Sequence, residues 1–189
     1  MNEDLLQTNY DITKKSKLRR YYETNKFIIF SIAAILIIII GVISFYSEIK
    51  ERKKIKLADE YIEAKIFLES NQKNEARNIL KKIISDNDNT YSVLSLFLIL
   101  NENLITDKNE LSNLFDQVLE NNKFETEVRN LIIFKKSLFQ SNFKNEFDLL
   151  KSIKPLISKE TLWKPHALLL LGDYFVFNKE YFKAKEFYT

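Results

Sequence analysis

Residues 27–46 read FIIFSIAAILIIIIGVISFY, twenty residues without a charged side chain, and no other feature narrows the possible folds so far. In a helix such a run rises about 30 Å, the thickness of a bilayer's hydrocarbon core. Core helices of soluble proteins rarely run this long without a polar face. The stretch from Phe27 to Tyr46 is therefore expected to be a transmembrane helix. A cleaved signal peptide fits poorly, because residues 1–26 precede the run, the run is longer than a usual signal h-region, and no Ala-x-Ala-like site follows it. Tyr21 and Tyr22 on one side and Phe45 and Tyr46 on the other stand where interfacial aromatics are found.

Charge leaves the orientation open. Lys14, Lys15, Lys17, Arg19, Arg20 and Lys26 flank the run on one side and Lys50, Arg52, Lys53, Lys54 and Lys56 on the other, six against five. The positive-inside rule then tilts only slightly toward an inside N-terminus, and long following domains cross regardless of charge. Within the run, Ser31, Ala34, Ile38, Gly41 and Phe45 fall on one helical stripe. Its small members would let another helix approach closely, although Gly and Ala are also common in spanning helices at large.

Several function classes are excluded or disfavoured by composition. The 29 Lys+Arg and 26 Asp+Glu are dispersed along the chain, whereas nucleic-acid binding calls for a concentrated basic face. With no Cys there are no disulfides, thiolate nucleophiles, Cys-ligated zinc or Cys-linked lipid anchor. Gly41, Gly172, Pro155 and Pro165 are the only residues of their kinds, so no Gly-rich phosphate loop exists. His166 is the only histidine. Carboxylate pairs such as Glu60 with Glu63 are what charged helices carry by chance. The expectation is a non-enzymatic protein with no cofactor, no metal and no small-molecule substrate.

After a charged stretch at residues 47–56, expected to be a juxtamembrane helix or linker, apolar residues recur at helical spacing from 57 to 189. Polar clusters interrupt them at Ser70-Asn71-Gln72, Asp86-Asn87-Asp88-Asn89, Thr106-Asp107, Asn121-Asn122, Ser141-Asn142 and Asn178-Lys179. They leave helices of roughly 10 to 16 residues, as in stacked helical hairpins. The expected fold is all-α: one N-terminal transmembrane helix followed by a tetratricopeptide-like α-solenoid of about four hairpins.

With Pro165 as position 1 of a 34-residue unit, Leu171 and Gly172 take positions 7 and 8, Phe175 takes 11, Ala184 takes 20 and Tyr188 takes 24. A second match starts at Leu57, with Ala64, Phe67, Ala76, Leu80 and Ile83 at positions 8, 11, 20, 24 and 27. Small residues at positions 8 and 20 let paired helices touch, and the aromatic at 24 is expected to fill the next layer. Two middle hairpins, Thr90 to Asn121 and Phe124 to Ile153, lack the small pair, so their register stays open. Thr189 falls at position 25 of the last unit, which suggests a fragment lacking the remainder of that helix. In this register Tyr61, Lys65, Leu68, His166, Leu169, Asp173, Val176 and Phe177 face a concave groove, though a solvated or core-edge position is the plainer reading for any one of them. Trp163 is expected to pack between hairpins, with a partner-anchor role as the sharper alternative.

The order of features resembles the YfgM-like ancillary subunits of the SecYEG translocon. The resemblance rests on the polar N-terminus and apolar run, NTYSVLSL from Asn89, DKNEL from Asp107 to Leu111, and Trp163 ahead of ALLLLGD. The chain departs from that family in being poorer in Ala and in crowding its third hairpin with large residues. The resemblance implies a bacterial inner-membrane protein with residues 1–26 cytoplasmic and the domain periplasmic from Ser47. It further implies partners: the translocon, a membrane-anchored periplasmic chaperone, and exported clients passed on to folding factors. The rival expectation is another membrane-tethered tetratricopeptide scaffold, assembling an envelope or respiratory complex.

Overall fold

In an apolar solvent a backbone must satisfy its own hydrogen bonds, and a helix does so within one segment. The computed structural model describes residues 17–188, with side chains from residue 21 onward except residue 33, and its first element, α1 (Lys17–Glu69), contains the whole apolar run. α1 is long and apolar enough to cross a membrane. Its regular geometry is interrupted at Asn25 (φ −113°, ψ 15°), just before the run, where the side-chain amide donates to the Tyr21 carbonyl at 3.1 Å. Residues 47–56 continue the helix, braced by an Arg52–Glu48 ion pair of 2.8 Å. Residues 1–16, which include Lys14 and Lys15 of the expected cytoplasmic segment, and Thr189 lie outside the described residues.

The chain divides into two compact units, one up to Lys53 and one from Lys54. No strand occurs among the described residues, and after α1 the helices are α2 (Lys73–Ser85), α3 (Tyr91–Asn101), α4 (Lys108–Asn121), α5 (Thr126–Gln140), α6 (Glu146–Ile157), α7 (Lys164–Phe177) and α8 (Tyr181–Tyr188). The polar clusters end and start them by recognisable chemistry. Asn71, Asn87, Asn103 and Lys179 adopt φ of 57°, 55°, 49° and 63°, the left-handed turn that glycine usually supplies after a helix. At Asn71 the closing bonds run from the Asn71 N–H to Leu68 O (3.0 Å) and from the Gln72 N–H to Phe67 O (2.8 Å), and the same pair recurs at Asn103 and Lys179. Asp107 opens α4 by accepting from the N–H groups of Asn109 and Glu110 at 2.7 and 3.2 Å, and Asn145 opens α6 by accepting from the Asp148 N–H at 2.9 Å. The third pair of helices extends to Ile157, one turn past the expected Ile153. Pro155 removes one helical donor there, but the fully buried Leu156 anchors the turn.

Two apolar clusters hold the second unit. The larger joins Leu57 and Ala64 of α1 to α2, α3, α4 and Ile132 of α5; the smaller joins α6 and α7, with Phe134 of α5 and Phe187 of α8 packed against it. Helices lie most closely where small residues meet. α2 packs tightly on α3, α5 on α6 and α7 on α8, with looser contact between α3 and α4. The close pairs in the middle of the unit use serine: Ser92 Oγ lies 3.3 Å from the Ile84 carbonyl, and Ser137 and Ser152 share a 3.1 Å hydroxyl contact between α5 and α6.

Candidate functional site

An apolar exposed surface of the second unit lies along the seam between α5 and α7, which contact one another. Glu127, Val128 and Leu131 recur on α5 at helical spacing, and with Leu162, Trp163 and His166 at the start of α7 they line a hollow of about 380 Å³. Leu138, Ser141 and Asn142 at the end of α5 line a second, of about 320 Å³, with Leu170, Asp173, Tyr174 and Phe177 of α7. Since the two helix starts share one hollow and the two helix ends the other, α5 and α7 run parallel, with α6 returning between them. The exposed rims are apolar: Leu162 is 75% and Phe177 86% exposed.

Aromatic rings fix the first hollow. Trp163 stacks on Phe134 of α5 with ring centroids 5.4 Å apart, and His166 meets Trp163 at 5.5 Å and Phe134 at 6.0 Å. Trp163 thus joins two hairpins and also lines the hollow. The second hollow is bounded by the Tyr188–Asp173 contact, in which the phenol donates to Asp173 Oδ1 at 2.6 Å. That bond, to a carboxylate that stabilises the neutral phenol, raises the Tyr188 pKa above its ordinary value. Lys183 links α8 to its surroundings through Glu146 and Glu180, both at 2.7 Å, and these hydrogen bonds raise its pKa.

The expected groove residues divide between two places. His166, Asp173 and Phe177 line the α5/α7 hollows, whereas Leu169 and Val176 are exposed on α7 and line neither. Tyr61, Lys65 and Leu68 belong to the end of α1. Tyr61 is half-buried beside Tyr91 (6.2 Å), with its pKa raised by that burial, Leu68 packs on the larger core and Lys65 is exposed. Beside them Glu60 bonds Lys82 at 2.8 Å, which raises the lysine's pKa.

Of the repeat-signature residues, Ala64, Ala76, Leu80, Leu171, Gly172, Phe175 and Ala184 are buried and Phe67 partly so. Phe175 stacks on Phe187 at 5.4 Å. Tyr188 lies against α7 of its own hairpin. A Cβ built on Gly172 would lie 2.3 Å from Tyr188 Cε1, so the ring rests on the bare glycine. The stripe of Ser31, Ala34, Ile38, Gly41 and Phe45 is exposed, with open space around Gly41.

The α5 side of the seam, Glu127, Val128, Leu131 and Leu138, was not singled out by sequence reasoning. The signal that could have found it is the apolar spacing of Val128, Leu131 and Leu138 read in parallel register with α7. Among the described residues no group of His, Asp and Glu is arranged to hold a metal ion. No protein-family description, curated protein or solved structure matches the chain.

Proposed function

We propose that this chain is a non-enzymatic, membrane-tethered docking protein whose α5/α7 seam receives a segment of a protein partner. The observation that carries the reading is the seam itself: two hollows in line, rimmed by exposed Leu162 and Phe177, on a unit covalently joined to a helix able to span a bilayer. Helical hairpins have no reacting groups of their own, so what such a surface does is hold other chains. Tethering confines it to two dimensions and raises its effective concentration for other membrane proteins, so weak contacts suffice.

The particular form we propose is an accessory subunit of the SecYEG translocon in a bacterial inner membrane, with the N-terminus cytoplasmic and the domain periplasmic. It would bind a membrane-anchored chaperone and pass exported proteins to folding factors. Its support is the order of features described above. Two of its marks also have local reasons, because Asp107 of DKNEL caps α4 and Trp163 stacks on Phe134.

The test is mild-detergent purification of the chain with identification of co-purifying proteins, repeated after exchanging Phe27–Tyr46 for an unrelated spanning sequence and after release of the domain as a soluble protein. Translocon subunits with a peptidyl-prolyl-isomerase-like chaperone are the expected companions, weakened by the exchange and largely lost on release. An unrelated envelope or respiratory complex would favour the rival scaffold. Undiminished association of the soluble domain in cells would contradict the tethering mechanism.

A further inference from the structure

The side chains lining the two hollows have a consistent charge. Glu127 lies in one and Asp173 in the other, and no Lys or Arg lines either, in a chain whose cations outnumber its anions 29 to 26. Glu127 makes no ion pair or side-chain hydrogen bond among the described residues, unlike Asp173, which accepts from Tyr188. Glu127 also shares the first hollow with Trp163, and an indole ring face attracts cations. The lysine that begins α7, Lys164, is held by Glu160.

From this we infer that the occupant of the α5/α7 seam is a protein segment with two apolar anchors and a Lys or Arg at the end that meets Glu127 and Trp163. The inference rests on the docking reading above and adds the partner's chemistry. Val128 and Leu138 are ten residues apart on α5, which at the helical rise sets the hollows about 15 Å apart. The two anchors therefore stand about three helical turns apart in a helical segment, or about four to five residues apart in an extended one. Acidic segments are disfavoured by Glu127 and Asp173 together.

Trp163 is the chain's only tryptophan, so its fluorescence reports the first hollow directly. A library of short Trp-free peptides displayed on phage is selected against the full chain in lipid nanodiscs, and enriched peptides are then titrated while Trp163 emission is followed. The expected peptides carry two apolar residues with an adjacent Lys or Arg and shift the emission to the blue. Glu127→Gln weakens them about two- to fivefold, the scale of an exposed ion pair. Glu127→Lys redirects selection toward acidic peptides, and Phe177→Glu weakens all binders about tenfold or more. Peptides that shift Trp163 and need Phe177 but are indifferent to Glu127 would overturn the cationic inference and leave the docking reading standing. Failure to select any peptide that shifts Trp163 would overturn both.

Discussion

In the last hairpin α8 lays its Tyr188 ring on the bare Gly172 of α7 and buries Ala184, whereas in the second hairpin the contact between α3 and α4 is looser. The small residues of α3, Ser92 and Ser95 one turn apart, are fully buried, and Ser92 reaches back to the carbonyls of α2. The closest partner of α3 is therefore the helix before it and not the one after. Small side chains decide which neighbour comes near, and the identity of the small residue decides how visible that choice is in a sequence. Glycine and alanine announce a close contact; a serine in a helix reads as a surface residue until its hydroxyl is seen to bond a carbonyl.

The comparison breaks most severely at the buried alanine of α2. Ala76 has no exposed surface, so Ala76→Leu overpacks it and costs about 1–3 kcal/mol; thermal unfolding of the full chain in detergent should show a clear fall in Tm. In the last hairpin, Gly172→Ala places a methyl group inside the Tyr188 ring and should cost about 1–2 kcal/mol. In a Tyr188→Ala background the same substitution should stabilise, since alanine is the better helix former by about 1 kcal/mol. A double-mutant cycle without coupling would contradict the ring-on-glycine contact.

The two kinds of small residue separate further at the serines. Ser95 Oγ is buried with no hydrogen-bond partner, unlike Ser92. Ser95→Ala should be neutral or stabilising, and Ser92→Ala destabilising by about 1 kcal/mol, measured by denaturant midpoints. A smaller gain is expected at Lys179, held at φ 63° after α7: Lys179→Gly should stabilise by about 0.5–1 kcal/mol, while Lys179→Ala should not. The smallest effect depends on pH. Tyr188 has a raised pKa in the folded chain through its bond to Asp173. Its contribution is fully present below the ordinary value of 10.0 and is lost as pH rises through the raised value. Stability of the wild-type chain should fall in that window more than stability of Tyr188→Phe.

Much of this arrangement was legible beforehand. Four of the six polar clusters adjoin a helix end closed or opened by an Asn, Asp or Lys in a defined role, because a chain with so little glycine must use Asn71, Asn87 and Asn103 to turn left-handed. Gly172 and Ala184 were visible through their spacing. The α5 side of the seam was not, because Glu127, Val128, Leu131 and Leu138 become a surface only when α5 is set parallel to α7, and that register depends on the Ser137–Ser152 contact that brings α6 against α5. The helix runs past Ile153 to Ile157 because the burial of Leu156 outweighs the one helical donor lost at Pro155.

The central claim, that the seam holds a protein partner at a membrane, is tested most directly by a photo-reactive side chain placed at Phe177 or at Leu162, irradiated in intact cells. Both positions are exposed, so the substitution leaves the core untouched. The account predicts a discrete protein adduct from each position, lost or strongly reduced when the domain is freed from residues 27–46. Adducts to lipid alone, or a protein adduct of equal yield from the freed domain, would contradict it.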